Sequence, residues 1–207
     1  MRVHRSALHF LWIPWLLAAC ASTIVGSAWF DTSYQGGPFK KIVVVGAGTG
    51  ATDQRVFEDT FTRQLRSSGV DAVPGYTLLS SEAEQSDAAF TAALDHAGAD
   101  GVLIVQLLGV DTRTQIATTM VPGSPMGWGW GPAPAPSFGR TSVPMPQVTQ
   151  QDVARVETRL YEIRARRLIW AASTSTFNPT SVARETPAFA ELVIRELRAR
   201  GLIDSAK

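Results

Sequence analysis

Between Lys41 and Leu108 short apolar runs alternate with longer segments of four-residue apolar spacing, and this alternation constrains the fold more than any other feature of the chain. Lys41-Ile-Val-Val-Val-Gly46 is too short for a stable helix and has no polar face, which suits a strand buried on both sides. From Asp53 to Ser68, Phe57, Phe61 and Leu65 form one stripe while Arg55, Glu58, Asp59 and Arg66 fill the remainder, so a helix is predicted. Asp53 is placed to cap it and Gly69 to end it. Asp71 to Pro74 reads as a second strand. Ser86 to Ala97 reads as a second helix, with Phe90, Leu94 and Ala97 on one face and Gly98 as its stop. Gly101 to Leu108 is the most hydrophobic stretch of this region and is expected to be the central strand. Strand, helix, strand, helix, strand at these spacings implies parallel pairing through right-handed crossovers.

The second half reads differently. Strand character continues through Thr112 to Thr119, stops at a Pro/Gly-rich segment, and resumes in Val153 to Ile163 and Leu168 to Phe177, which pair as an antiparallel hairpin around Arg164 to Arg167. A last helix is expected with Thr186 as its cap, Pro187 at its first position, Phe189, Leu192, Val193 and Leu197 on its buried stripe, and Gly201 after its end. The expected architecture is a single α/β domain over residues 40–203, with a mixed sheet of about five strands and three helices. Cys20 is the only cysteine, so no disulfide supports this domain and its stability must come from a core. Residues 20–39, rich in Ser, Thr and Gly, read as a tether, with Trp29, Phe30 and Tyr34 able to dock on the body.

The first 19 residues are of another kind. Arg2 and Arg5 precede an apolar run from Ala7 to Ala19 that is shorter than a membrane-spanning helix requires and is interrupted by Pro14, the form of a cleaved secretory leader. Leu17-Ala18-Ala19-Cys20 resembles the lipobox of bacterial lipoproteins, which implies a signal peptide over 1–19 and a lipidated Cys20. In that family a diacylglyceryl group is added to the thiol and a further acyl chain such as palmitate to the new α-amino group. Two or more such chains make attachment effectively stable. Ala21, where an aspartate would imply inner-membrane retention, points to the outer membrane and a periplasm-facing body. Inner-membrane attachment stays open, as does Ala19-Cys20-Ala21 as an ordinary cleavage site releasing a soluble periplasmic protein. Without the leader, the 19 Lys and Arg fall to 17 against 18 Asp and Glu, a net charge of −1 that makes no electrostatic case for nucleic acid or an anionic bilayer as partner.

Candidate chemistry is sparse. Gly46-Ala47-Gly48-Thr49-Gly50-Ala51 fits a dinucleotide fingerprint in spacing, but Asp53 sets a negative charge where a pyrophosphate would sit, and a tight strand-to-helix connection is the plainer account. Arg55, Glu58 and Asp59 lie at i, i+3 and i, i+4 and read as a solvated helix face. His96, the one histidine outside the leader, falls in a last helical turn where the helix dipole favours a cation. No nucleophile-and-base pair or metal-ligand spacing can be assembled, so neither a catalytic residue nor a cofactor is assigned. The segment 121–146 holds seven prolines and five glycines and is read as a long insertion without a core. Its Met126, Trp128, Trp130 and Phe138, with Met145 beyond them, put apolar surface on a loop and form the candidate partner contact.

In order along the chain, the lipobox, KKIVVVG, RVFEDTFTRQLRSSGVDAVPGYTLL, ADGVLIVQLL, the Gly/Pro/Trp insertion, LYEIRARRLIWAASTST and IRELRARGLI resemble a group of small uncharacterised bacterial lipoproteins. More distantly they are similar to the α/β domain shared by the curli-secretion lipoprotein, the lipoprotein activator of penicillin-binding proteins and the N-terminal domain of TolB. The resemblance implies a periplasm-facing domain that binds other envelope proteins; the expectation is a membrane-anchored binding or assembly accessory and, since no catalytic constellation is found, not an enzyme. The hairpins through which the curli-secretion protein forms its pore are not evident in the sequence. A periplasmic small-ligand or glycan binder is the alternative, and an enzyme of unknown type the third reading.

Overall fold

The computed structural model describes residues 23–78, 87–122 and 142–204. In chain order the elements are β1 (Thr23–Phe30), β2 (Lys41–Ala47), α1 (Ala51–Ser67), β3 (Asp71–Pro74), a 3₁₀ turn (Gly75–Thr77), α2 (Asp87–His96), β4 (Gly101–Pro122), β5 (Ser142–Glu162), β6 (Arg167–Phe177) and α3 (Val182–Ala199). The strands form one mixed sheet in the order β1-β6-β5-β4-β2-β3. β3, β2 and β4 are parallel, as the alternating apolar runs require, and β4, β5, β6 and β1 are antiparallel.

Period-two alternation divides the sheet between two layers. Ile42 and Val44 of β2 and Leu103 and Val105 of β4 face α1 and α3, joining Phe61, Leu65, Trp170, Phe189, Val193 and Leu197 in the main core. Val43 and Val102 face the other way, against Leu94 and Phe90 of α2. Phe57, Phe61 and Phe189 pack ring to ring, their centroids 5.5 to 6.2 Å apart, where α1 meets α3. Burying each such side chain contributes about 1.5–3 kcal/mol.

Both long helices end as their glycines predict. Gly69 has φ +86°, the Val70 N–H reaches the Leu65 carbonyl and the Gly69 N–H that of Arg66. Gly201, Leu202 and Leu197 repeat the pattern, with Leu202 and Leu197 both buried. The starts differ from expectation. Gly50, not Asp53, precedes the first helical residue of α1, and no side chain caps it. Ser181, not Thr186, caps α3 by accepting the Arg184 N–H, which places Pro187 inside the helix. Thr186 instead donates its hydroxyl to the Val182 carbonyl, 2.6 Å away.

Two further expectations are corrected. The tether over 20–39 contains a strand: β1 adds to the outer edge of β6, giving six strands where about five were expected. Gly26, Ser27 and Ala28 dilute its sequence signal, and its stability comes from pairing with an edge already formed. Phe30 and Tyr34 do pack on the core, whereas Trp29 stays half exposed. The insertion over 121–146 is narrower than its composition suggests, because β4 runs unbroken to Pro122 and β5 begins at Ser142. The proline pairs Met120↔Pro144 and Thr118↔Pro146 are tolerated because a two-stranded ribbon has a free outer edge, where a missing N–H costs no ladder bond. The strands therefore form a hairpin of 22 and 21 residues, where none was evident in the sequence.

Candidate functional site

The register fixes where the hairpin leaves the body. Thr23 of β1 is opposite Thr176 of β6, Thr176 is opposite Ala154 of β5, and Ala154 is opposite Val110 of β4. β6 ends one residue beyond this row, at Phe177, and the pairing of β2 with β4 has stopped at Gln106. Past the row only β4 and β5 continue, as an arm in which Asp111 to Pro122 extend about 40 Å at 3.3–3.4 Å per residue.

The base of the arm is built by specific bonds. Asp111 pairs with Arg155 at 2.5 Å, and the Thr112 hydroxyl donates to Asp152 at 2.7 Å. Asn178, at φ 50°, donates its N–H to the Asp152 carbonyl and accepts the Asp152 N–H on its side chain, so the end of β6 is tied to the root of β5. Beyond these contacts every described side chain from Thr112 to Met120 and from Pro144 to Gln150 is exposed. Ile116 and Val148 are cross-strand partners, 72% and 61% exposed, and Met120, 65% exposed, shares their face. No Asp, Glu, Lys or Arg occurs from Thr114 to Pro122 or from Ser142 to Gln151, in a chain that is 18% charged.

At the foot of the same face lies a cleft of about 250 Å³ between the first turns of α1 and α3 and the sheet. Phe57, Leu107, Val110, Val156, Val182 and Phe189 give it an apolar lining, with Thr176 and Glu185 at its margin. Glu185 is already engaged, accepting the N–H and hydroxyl of Thr180 at 3.1 and 2.9 Å.

The glycine-rich connection after β2 borders this cleft, and its glycines have a packing role. Gly48 has φ +86°, and a Cβ there would collide with the Leu107 carbonyl. A Cβ on Gly46 would press on the Phe57 ring at 3.1 Å. Next to it the helix-face reading of Arg55, Glu58 and Asp59 is corrected in part. Glu58 is fully buried. Its carboxylate accepts the Gly46 N–H at 2.9 Å, the Tyr76 N–H at 2.8 Å and the Gln54 amide at 3.0 Å, clamping the ends of β2 and β3 to α1. Asp59 is exposed and accepts the Tyr76 hydroxyl at 2.8 Å, which holds that phenol above its usual pKa. The Arg55 guanidinium lies over the Tyr76 ring. A helix residue twelve positions from Gly46 carries no local mark of this burial; the missed signal is a lone acid in line with Phe61 and Leu65.

His96 is exposed in the last turn of α2, as expected. Leu17, Ala18, Ala19 and Cys20 lie outside the described residues, as do Met126, Trp128, Trp130 and Phe138. Met145 is on the arm, 58% exposed. Among the described residues no cluster of three or more His, Cys, Asp or Glu could hold a metal, and no helix is long and apolar enough to cross a membrane.

No protein family and no curated protein matches the chain. Solved structures with a similar course include a PelC dodecamer from Paraburkholderia phytofirmans, at TM-score 0.46 and 14% identity over 87% of this chain and 100% of that one. Lipoprotein GNA1162 from Neisseria meningitidis aligns at TM-score 0.41 and 13% identity over 77% and 98% of the two chains. The hypothetical protein CT253 from Chlamydia trachomatis aligns at 0.38 and 13% over 77% and 94%. At these values the likeness is one of chain layout, and no role passes from those proteins to this one.

Proposed function

We propose that this chain is an envelope lipoprotein, held through acylated Cys20 at the outer membrane and facing the periplasm, which binds another envelope protein as an accessory to its assembly or action. The observation that carries this reading is the arm. A two-stranded ribbon with nothing packed on either face is marginal in water. A chain that maintains one about 40 Å long, uncharged over most of its length, has a surface suited to a partner rather than to solvent. The Trp-bearing loop between its strands and the adjoining ribbon edge form the partner surface in this reading.

Replacing Trp128 and Trp130 by Ala and crosslinking in intact cells tests it, with loss of at least one crosslinked species expected. An unchanged set of crosslinked proteins excludes the loop. Replacing Cys20 by Ser is expected to move the protein from the membrane fraction to the soluble one, and unaltered membrane retention excludes the anchor. The cleft supports the alternative reading, a small-ligand binder: at about 250 Å³ it exceeds the roughly 150 Å³ apolar cavity that suffices for benzene. A specific ligand would raise the melting temperature by mass action. Nucleotides, peptidoglycan fragments and short fatty acids are the probes, and no shift with any of them removes this reading.

A further inference from the structure

We infer that the arm lies along the surface of the membrane that holds the protein, with the face bearing Val110, Ile116, Met120 and Val148 turned into the headgroup layer, an inference that rests on acylation of Cys20. The register carries it. Thr23 stands in the row from which the arm departs, and its hydroxyl bonds to that of Thr176 at 2.9 Å, so the start of β1 is fixed to the arm's end of the sheet. From Cys20 to Thr23 the chain spans at most about 11 Å. An arm of about 40 Å rising from a row so close to the bilayer has no room to stand in water on the membrane side.

Upright insertion of a single arm is excluded by hydrogen bonding. Among the described residues the outer edge of β4 has no strand partner beyond Gln106, and that of β5 has no backbone partner beyond Asp152, which bonds to Asn178, so a lone arm in hydrocarbon would leave two rows of backbone groups unpaired. Each unpaired group costs several kcal/mol there. The hydrated headgroup layer satisfies those edges while taking up apolar side chains.

The composition of the arm fits this position. Five of the eight large hydrophobic side chains exposed in the described structure are on the arm or at its root, namely Val110, Ile116, Met120, Met145 and Val148, and Ile24 adjoins the start of β1. Val110, at the root, also lines the apolar cleft, so a single strip runs from the helices onto the arm. Past Thr112 and Asp152 at its root, threonine, glutamine, proline and serine fill the rest of that face out to Pro122, and the absence of charge beyond Asp152 removes the main desolvation cost of contact with lipid. With no basic cluster on the arm, the contact depends neither on anionic lipid nor on low salt.

The test uses the full acylated protein in phosphatidylcholine vesicles. With the Cys20 thiol acylated, one introduced cysteine is the only free thiol and takes an environment-sensitive dye. Thr118→Cys places it on the apolar face, Ala117→Cys on the opposite face, and Arg164→Cys at the far end of the sheet. A quencher carried on lipid headgroups is expected to dim the dye at 118 several-fold more than at 164, with 117 between them, and equally at low and high salt. Ile116→Asn with Val148→Asn should bring the value at 118 down to that at 164. Equal, weak quenching at 118 and 164 in protein shown by mass to be acylated overturns the inference alone. Shielding at 118 from a water-borne quencher without lipid quenching also overturns it, because the cover is then a second copy of the chain. An unmodified Cys20 mass overturns the anchor and the inference together.

Discussion

Replacing Glu58 by Ala removes the acceptor of two buried backbone donors without touching either strand. Oε1 accepts the Gly46 N–H and the Gln54 amide, and Oε2 accepts the Tyr76 N–H. The Gln54 side chain is half-buried and can turn to water. The two backbone groups cannot move, being held by the end of β2 and by the 3₁₀ turn after β3. A buried donor left unpaired costs about 1–3 kcal/mol, so Glu58→Ala should lower stability by about 3–5 kcal/mol once lost packing of its methylenes is included. That is a large part of the 5–15 kcal/mol typical of a folded domain. Glu58→Gln keeps the shape and one oxygen but turns an amide NH₂ toward one of the two donors, so about 2 kcal/mol should be lost. Arg63→Ala, exposed on the same helix, should stay within about 0.5 kcal/mol. Urea unfolding followed by circular dichroism measures all three, and with a slope of about 2–3 kcal/mol per molar the Ala variant should unfold about 1–2 M earlier. Equal midpoints for Glu58→Ala and Arg63→Ala would refute the clamp. A Gln variant as stable as the parent would show that the carboxylate accepts no more than one essential bond.

Gly48→Ala should cost at least about 1–2 kcal/mol, since its φ of +86° disfavours any side chain and the Leu107 carbonyl blocks the added methyl; calorimetry gives the shift in melting temperature. Trp170→Ala empties a fully buried site in the main core and should cost about 3–5 kcal/mol, read by the same urea titration. Excising Arg113 to Gln151 and closing β4 to β5 with a short turn should leave the melting temperature of the body within a few degrees, because among the described residues the arm packs on no other element. Loss of cooperative unfolding in that variant would contradict the division between body and arm.

The parallel half of the sheet is legible in the sequence because its signals are local. Ile42 to Val45 and Val102 to Val105 are apolar on both faces, and the Phe57, Phe61, Leu65 stripe must cover one of them, so β2, α1, β3, α2 and β4 follow from runs and spacings. The terminating glycines 69 and 201 are equally local. Cys20 and the residues before it are recognisable for the same reason, as a linear pattern. Pairing of β1 with β6 joins residues some 150 positions apart and leaves no periodic trace in a segment with glycine, serine and alanine at its centre. Pro144 and Pro146 read as breakers until it is known that only one side of each strand is paired. The alignment of Thr23, Thr176, Ala154 and Val110 in one row, the burial of Glu58 and the joining of the cleft to the arm exist only once distant segments are brought side by side. Sequence periodicity determines which face of a segment is apolar. The tertiary pairing alone decides what that face meets, because cross-strand neighbours are set by register and not by order along the chain.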